Sequence, residues 1–208
     1  MPHKATVHVV EDDEGFRSAL TRLLRASGYA VAAYPSAGAL LEAALGGPGC
    51  LLLDLQLPDL GGIELQAELA QRRVTLPVVF LTGRGDVPTS VRAMQAGAED
   101  FLTKPVDAAE LLAAIERALA RDRTQRAELS HLDDLRARYA SLTPTERAVM
   151  AYVISGHLNK QIAYRFGRSE RTIKAHRARL LDKMRAGSTA ELVRMATALG
   201  IPVQPPDA

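Results

Sequence analysis

The sequence predicts two domains: an α/β domain on a doubly wound, five-stranded parallel sheet, and a smaller all-α domain of four helices. In the first 121 residues, apolar strand-like runs alternate with helical segments, whereas only helical periodicity follows them. The chain has 208 residues, which is enough for two separate cores. We therefore place the α/β domain at 1–121, a helical connector at 122–140 and the helical domain at 141–208.

Five pairs of strand and helix support the α/β domain. The predicted strands cover 6–10, 30–33, 51–53, 78–81 and 101–102. Each precedes a helical pattern, the first beginning near Phe16 and the others covering 36–45, 62–71, 87–96 and 107–121. Strands and helices that alternate in this way form a parallel sheet with helices on both faces.

Polar residues stand where the predicted strands end. Glu11, Asp12 and Asp13 follow the first strand, Asp54 the third, Thr82 the fourth and Lys104 the fifth. Ligands of such folds bind beyond the carboxyl ends of the strands, so these four segments converge on one site. The carboxylates of Glu11, Asp12 and Asp54 would repel one another, which makes Mg²⁺ their natural partner. Lys104 would add positive charge and Thr82 a hydrogen-bond donor; singly, each residue could instead be a helix cap or a surface charge.

Composition excludes several classes of protein. The chain is 47% hydrophobic and 24% charged, as is typical of globular rather than disordered proteins. It has no run of about 18 apolar residues and no signal-peptide pattern, so we expect a cytoplasmic protein without membrane association. The single cysteine, Cys50, lies in an apolar run and is expected in the core.

Charge is unevenly distributed along the chain. Lys and Arg number 11 against 15 Asp and Glu in 1–121, 4 against 4 in 122–140, and 11 against 5 in 141–208. The basic last segment indicates a polyanionic partner, although charge alone would suit any anionic surface.

The connector contains no Gly or Pro. Its apolar side chains recur three or four residues apart, at Leu129, Leu132, Leu135, Tyr139 and Leu142. The pattern predicts a helix that either extends the preceding one or pairs with a second copy of the chain. The segment is too short to establish a coiled coil.

Capping signals mark the four helices of 141–208. Thr143, Pro144 and Glu146 form a capping-box pattern that starts the first helix. A second helix begins at Asn159, a turn follows at 166–169, a third helix covers 170–184, and Ser188 caps the fourth.

These motifs resemble two known families. Residues 5 to about 120 resemble a response-regulator receiver domain, of flavodoxin-like fold, through Glu11-Asp12, Asp54 to Pro58, Thr82-Gly83 and Lys104-Pro105. Residues 141–201 resemble the LuxR-type helix-turn-helix, through Leu142-Thr143, Glu146, Gly156, Asn159-Lys160, Ile162-Ala163, Ser169, Thr172 to Lys174 and His176-Arg177. Together the halves resemble two-component response regulators of the FixJ/NarL class.

The receiver resemblance implies roles for the strand-end residues. Asp54 would accept a phosphoryl group from a sensor histidine kinase. Asp12, Asp54 and the backbone carbonyl of Gln56 would bind Mg²⁺, with Glu11 acting mainly through water. Thr82, Phe101 and Lys104 would form the switch, although Phe101 could equally be an ordinary core residue. The Lys104-Pro105 bond corresponds to the family's usual cis peptide.

The helix-turn-helix resemblance implies contacts with double-stranded promoter DNA. Placing Ile173 at 0° on the third helix puts Leu180 and Met184 on the same, core-facing side. The opposite side carries the predicted base contacts Arg171, Lys174, Ala175 and Ala178. The predicted phosphate contacts are Lys160, Arg168, Arg177 and Arg179, each of which could singly be a solvated surface charge.

Two residues depart from the helix-turn-helix pattern. Arg168 stands where the family usually has an apolar residue, and Thr145 where it usually has a basic one. The family's fourth helix mediates dimerisation, so Leu192, Val193 and Met195 are candidate interface residues that could instead be core.

Three functions follow from this reading. In the first, phosphorylation of Asp54 controls homodimerisation and sequence-specific DNA binding, and RNA polymerase is a further partner that such a regulator can contact. In the second, DNA binding is independent of phosphorylation and the receiver is a dimerisation scaffold. In the third, the first domain is an enzyme with an aspartyl-phosphate intermediate. Gln56 stands two residues after Asp54, where such an enzyme needs an acid, so we expect no enzyme beyond self-phosphorylation and slow self-dephosphorylation.

Overall fold

The computed structural model describes residues 5–83 and 98–203. The chain divides into two compact units, Met1–Arg126 and Ala127–Ala208, and each is described by itself. The helix predicted at 87–96 lies outside the described residues.

The first unit contains a five-stranded, entirely parallel sheet in the order β2-β1-β3-β4-β5. Its strands are β1 (Thr6–Val10), β2 (Ala30–Tyr34), β3 (Gly49–Asp54), β4 (Val78–Thr82) and β5 (Asp100–Thr103). Its helices are α1 (Glu14–Ala26), α2 (Ala37–Leu41), α3 (Gly62–Gln71) and α4 (Ala108–Ala140), the last of which continues past this unit. The predicted α/β fold class is confirmed, and the strand order reverses direction between β1 and β3.

Both faces of the sheet are buried, which explains the continuous apolar runs in its strands. On one face, Val9, Leu52 and Leu81 pack in a cluster with α1 and α4. On the other, Leu53 and Phe80 pack in a cluster with α2 and α3. Every residue of β3 is buried, so this central strand brings its last residue to the sheet edge in a fixed position.

Cys50 lies fully buried in β3, as expected. Burial and, to a smaller extent, the charge of the nearby Asp122 carboxylate together raise the pKa of its thiol to about 12. The thiol is therefore an inert part of the core.

Helix α2 is shorter than predicted. It ends at Leu41, whereas the prediction placed its end near residue 45. The Arg72 guanidinium donates a hydrogen bond to the Leu41 carbonyl at 3.0 Å. In a longer helix, the Leu41 carbonyl would accept a hydrogen bond from a backbone N–H of the next turn. Here the Arg72 side chain takes that place, and the sequence around α2 does not reveal this contact.

Helix α4 contains the whole predicted connector, 122–140. The connector therefore extends the preceding helix, one of the two arrangements left open by its sequence, while pairing with a second copy stays a prediction. Asp122 is buried and accepts hydrogen bonds from Gly49 N at 3.1 Å and from Arg126 Nε at 2.8 Å. Arg126 also donates to the Gly47 carbonyl, so this pair fastens the helix to the loop before β3.

The second unit contains the helices α5 (Pro144–Ile154), α6 (Asn159–Phe166), α7 (Glu170–Met184) and α8 (Thr189–Ala198). Ile173, Leu180 and Met184 are fully buried, which confirms the predicted core face of α7. Gly167 ends α6 with φ of 58°, a left-handed conformation that suits glycine at the turn between α6 and α7.

The predicted capping box at the start of α5 is present. Thr143 Oγ1 accepts from Glu146 N at 3.2 Å, and Glu146 Oε2 accepts from Thr143 N at 2.9 Å. Glu146 also accepts a hydrogen bond from Lys183 Nζ of α7 at 2.7 Å. The Lys183 hydrogen bond and the Thr143 backbone N–H together lower the pKa of Glu146 to about 2.

We expect Glu146→Gln to make the second unit less stable by about 1 kcal/mol at pH 7, because glutamine keeps the capping box but loses the ion pair with Lys183. The depressed pKa means that this stabilisation is complete above the ordinary pKa of 4.5 and is lost as pH falls towards 2. Urea unfolding followed by circular dichroism measures the difference. A difference that persisted near pH 2 would contradict the assignment, and Glu170→Gln, at an exposed residue, is the control.

Candidate functional site

The sheet brings the predicted polar residues to its carboxyl edge. Glu11 follows β1, Asp54 ends β3, Thr82 ends β4 and Lys104 follows β5. Val10 pairs with Leu53, and Asp54 with Leu81, so the ends of the three central strands lie level with one another. The four segments therefore meet in one place.

Three carboxylates cluster at this edge. Oxygen atoms of Glu11, Asp12 and Asp54 all lie within 4.8 Å of one another. Glu11 and Asp54 are buried, whereas Asp12 is exposed, so solvent reaches the cluster at Asp12. Such a group of hard oxygen ligands with one open side is suited to a divalent cation.

Lys104 bridges the two buried carboxylates. Its Nζ lies 2.6 Å from Glu11 Oε2 and 2.8 Å from Asp54 Oδ2, and 4.6 Å from the centroid of the Phe16 ring. The Lys104–Pro105 peptide bond is cis, as in the family resemblance. One ammonium group thus contacts two of the three carboxylates and partly neutralises the cluster.

The ionisation of this pair reflects opposing effects. Burial raises the pKa of Glu11, the Lys104 hydrogen bond lowers it and the Asp54 charge raises it, with a net upward shift. Burial lowers the pKa of Lys104, but its hydrogen bonds and charge interactions with Asp54 and Glu11 raise it by more in total. Lys104 therefore stays protonated, whereas the cluster keeps an excess of negative charge.

Backbone contacts orient the remaining groups. Asp54 Oδ1 accepts from Gln56 N at 3.0 Å, so both Asp54 oxygens have a fixed donor. The role of the Gln56 carbonyl as a metal ligand stays a prediction. Thr82 is buried, and its carbonyl accepts from Lys104 N at 2.7 Å. Phe101 is partly buried against the cluster that contains Phe80, a position compatible with either the switch or the core role.

Asp13 lies beside the acidic cluster but serves α1. Its Oδ1 accepts from Phe16 N at 2.7 Å, which makes it the N-cap of that helix. An acidic side chain also suits this position because it interacts favourably with the helix N-terminus.

Sequence reasoning missed two side chains that hold the loops of the site. Arg17 donates to the Glu11 carbonyl at 2.7 Å and to the Asp12 carbonyl at 3.1 Å, which fixes the loop after β1. Asp59 accepts from Gly38 N at 2.8 Å and so ties the loop after Asp54 to the start of α2. Arg17 reads as an ordinary helix-surface residue, and the partner of Asp59 is 21 residues away, so neither had a local signal.

Gly62 allows α3 to begin directly against the site. A Cβ atom at this position would lie 2.6 Å from the Asp54 carbonyl oxygen and 3.0 Å from Leu55 Cα. Any other residue would push the helix away from the strand end that carries Asp54.

In the second unit, the four predicted base-contact residues form one exposed face of α7. Arg171, Lys174, Ala175 and Ala178 are all exposed, opposite the buried core stripe. Of the predicted phosphate contacts, Lys160, Arg168 and Arg179 are also exposed. The face is basic and available to an anionic partner.

Arg177 is less exposed than the other three predicted phosphate contacts. It is half-buried, and its guanidinium donates to Asn159 Oδ1 at 3.3 Å and to Thr189 Oγ1 at 2.6 Å. The phosphate contact that charge and helical position predict for Arg177 stays a prediction, and two of its five N–H groups are engaged with neighbouring helices.

Among the described residues, no helix has the length and apolarity needed to cross a bilayer.

Residues 7–116 match the response regulator receiver domain family, and residues 140–196 match the bacterial regulatory proteins of the luxR family. Nodulation protein W of Bradyrhizobium diazoefficiens is 44% identical over 199 residues, covering 95% of this chain and 88% of its own. The transcriptional regulatory protein FixJ of Rhizobium meliloti is 42% identical over 199 residues, covering 94% of this chain and 96% of its own.

Solved structures of two response regulators are also similar to this chain over most of its length. The response regulator StyR is 40% identical, with a TM-score of 0.84 over 93% of this chain and 98% of its own. Full-length FixJ from B. japonicum is also 40% identical, with a TM-score of 0.58 over 96% of this chain and 98% of its own. With the receiver fold, the acidic edge and the basic helical face, these similarities establish that the chain belongs to the FixJ class of response regulators and regulates transcription through phosphorylation.

Proposed function

We propose that Asp54 is the phosphoacceptor and that its modification controls dimerisation and sequence-specific DNA binding. The position of Asp54 carries the proposal: this buried carboxylate ends the central strand, with Lys104 Nζ at 2.8 Å and two further carboxylates beside it. An anionic oxygen held by fixed donors is a prepared nucleophile for phosphoryl transfer, which depends on positioning and charge neutralisation.

The phosphoryl donor would be the phosphohistidine of a sensor histidine kinase. An Asp54 oxygen forms a bond to phosphorus while the bond from phosphorus to the histidine nitrogen breaks and the imidazole leaves. The product on Asp54 is an acyl phosphate. No general base takes part, because a carboxylate nucleophile has no proton to lose.

The donor chemistry of the acidic cluster supports Mg²⁺ as its cofactor. Mg²⁺ prefers carboxylate and carbonyl oxygens, and here the carboxylates of Glu11, Asp12 and Asp54 meet the one ammonium group of Lys104. Asp12, Asp54 and the Gln56 carbonyl would be direct ligands, with Glu11 acting through water. Bound Mg²⁺ would neutralise charge on the phosphoryl oxygens.

Thr82, Phe101 and Lys104 would convert the new phosphoryl group into a change of surface. The phosphoryl oxygens compete for the Lys104 ammonium, which now contacts Glu11 and Asp54, and attract the Thr82 hydroxyl. Thr82 and Lys104 are joined through their backbones, so a shift at either one reaches β5 and Phe101. This biases a two-state surface, which then favours the dimer.

On DNA, we propose a homodimer that reads two half-sites through α7 of each copy. Leu192 is fully buried, so the dimer surface on α8 would use the half-buried Val193 and Met195 instead. RNA polymerase is a further partner that we propose for the DNA-bound form, acting in the cytoplasm.

We also propose that the first unit does not turn over external phosphoesters. Gln56, which follows Asp54 by two residues, offers neither an acid nor a base for repeated hydrolysis. Sustained release of phosphate from an added phosphoester would overturn this proposal.

We expect Asp54→Asn to abolish modification of the chain by acetyl phosphate and Mg²⁺, because an amide is not a nucleophile for phosphoryl transfer. Intact-protein mass spectrometry would detect the single added phosphoryl group. Asp13→Asn is the matched control, since asparagine keeps the helix cap, and it should be modified like the wild type. Modification that left dimerisation and DNA affinity unchanged would instead favour the scaffold alternative.

We expect Asp12→Asn to raise the Mg²⁺ concentration needed for half-maximal modification by about tenfold or more, because a charged ligand is lost. Titration of the acetyl phosphate reaction with MgCl₂ measures this, and Asp13→Asn is again the control. An unchanged Mg²⁺ requirement would remove Asp12 from the metal site.

We expect Lys174→Ala to cost about 1 to 3 kcal/mol of binding to a specific operator, with little effect on unrelated DNA. Arg168→Ala should weaken binding to both and reduce the slope of log Kd against log salt by about one unit. Fluorescence anisotropy on both duplexes measures these values. Equal losses on both duplexes for Lys174→Ala would exclude a role in base reading.

A further inference from the structure

Arg177 connects three helices of the DNA-binding unit through one side chain. It lies in the second turn of α7, and its guanidinium reaches Asn159, the first residue of α6, and Thr189, the first residue of α8. Asn159 and Arg177 both belong to the helix-turn-helix motif, within the pairs Asn159-Lys160 and His176-Arg177. They are 18 residues apart in the sequence, and the hydrogen bond joins them in space. One charged side chain thus fixes α7 against the starts of both neighbours.

The hydrogen bond with Thr189 connects α7 to the start of α8. Helix α7 packs closely on α5 and α6, and its Leu180 shares a buried cluster with Leu192 of α8. Ser188, rather than Thr189, supplies the side-chain cap of α8, which leaves the Thr189 hydroxyl for Arg177. The hydrogen bond at 2.6 Å therefore adds a polar contact at the start of α8, beside the apolar packing of Leu192 and Ala196 in the same cluster as Leu180.

The same side chain is close to the proposed DNA surface in sequence. Lys174, a proposed base contact, precedes Arg177 by three residues, and Lys160, a proposed phosphate contact, directly follows Asn159. Lys174 is exposed, whereas Arg177 is half-buried and its guanidinium contacts the neighbouring helices. Arg177 thereby sets the position of α7, which is proposed to read bases, relative to the start of α6, which is proposed to contact the DNA phosphate backbone.

We propose that Arg177 is a positioning residue for DNA reading and makes no phosphate contact of its own. The proposal rests on the recognition surface of α7 proposed above. It assigns to Arg177 the role of holding that surface in position. Both terminal nitrogens of the guanidinium already donate within the fold, so turning these N–H groups towards a phosphate would give up two hydrogen bonds in a half-buried setting. Its planar fork serves two acceptors at once, which a lysine ammonium on a flexible stem reproduces poorly.

Two measurements separate this role from a phosphate contact. A lost phosphate contact lowers the salt slope by about one unit and weakens all DNA binding alike. Lost positioning leaves the slope unchanged and weakens specific binding selectively, because only base reading requires the correct register. A purely structural role would change the melting temperature without changing the ratio of specific to unspecific affinity.

The experiment uses the full chain, modified with acetyl phosphate and Mg²⁺, and a duplex that the wild type selects from a randomised pool. The variants are Arg177→Ala, Arg177→Lys, Thr189→Val and the double variant Arg177→Ala with Thr189→Val. Thr189→Val removes only the hydroxyl acceptor and keeps the side-chain shape, so it tests the proposal even if Arg177→Ala fails to fold. Circular dichroism melts of each variant report its folding.

We expect Arg177→Ala and Arg177→Lys to weaken specific binding by about tenfold, Thr189→Val to weaken it by a smaller factor, and the double variant to match Arg177→Ala. The salt slope and the affinity for unrelated DNA should stay at wild-type values. A slope reduced by about one unit in Arg177→Ala, or wild-type specific affinity in Thr189→Val, would overturn the proposal.

Lys174→Ala and Arg168→Ala, measured in parallel, separate the two proposals. If Lys174→Ala binds its duplex normally while Thr189→Val does not, the recognition surface is misassigned but the positioning role of Arg177 stands. If Lys174→Ala loses specific binding and Thr189→Val does not, the surface stands and the positioning role fails.

Discussion

The ion pairs of Lys104 with Glu11 and Asp54 are the interaction on which the receiver depends. They let two buried carboxylates lie side by side at the end of a parallel sheet, an arrangement that would otherwise be strongly repulsive. The same ammonium is the group for which an incoming phosphoryl oxygen would compete. In the proposed mechanism, the contacts that stabilise the resting site are therefore the same ones that phosphorylation of Asp54 would exchange.

The sequence predicted this site well because parallel strands impose the geometry. Once β1, β3, β4 and β5 are recognised, their carboxyl ends must share one edge, and polar residues that follow a buried strand have few other places to go. The core stripe of α7 was equally predictable, since Ile173, Leu180 and Met184 follow helical periodicity. The fold class and the family resemblance were confirmed by the structure and by its relatives.

What the sequence did not predict are contacts between segments far apart in the chain. Arg72 ends α2 early, Asp59 joins two loops, and Arg17 holds the backbone of the acidic loop. Each of these residues is charged and lies on or near a helix surface. Charged residues are common there, so the residue type does not indicate a specific partner. Arg177 shows the same limitation, because its charge and helical angle did not reveal its hydrogen bonds with Asn159 and Thr189. Periodicity assigns a residue to a face but does not identify what that face touches.

The buried cysteine has a practical consequence. The chain has one thiol, which lies inside the central strand and has a pKa near 12, so it stays protonated and shielded at neutral pH. Thiol-directed dyes and spin labels will react with it very slowly in the folded protein. Two cysteines introduced at exposed positions, one on either side of the connector helix, can therefore be labelled in the otherwise native chain. Distances across the connector helix can then be recorded before and after phosphorylation without first removing Cys50.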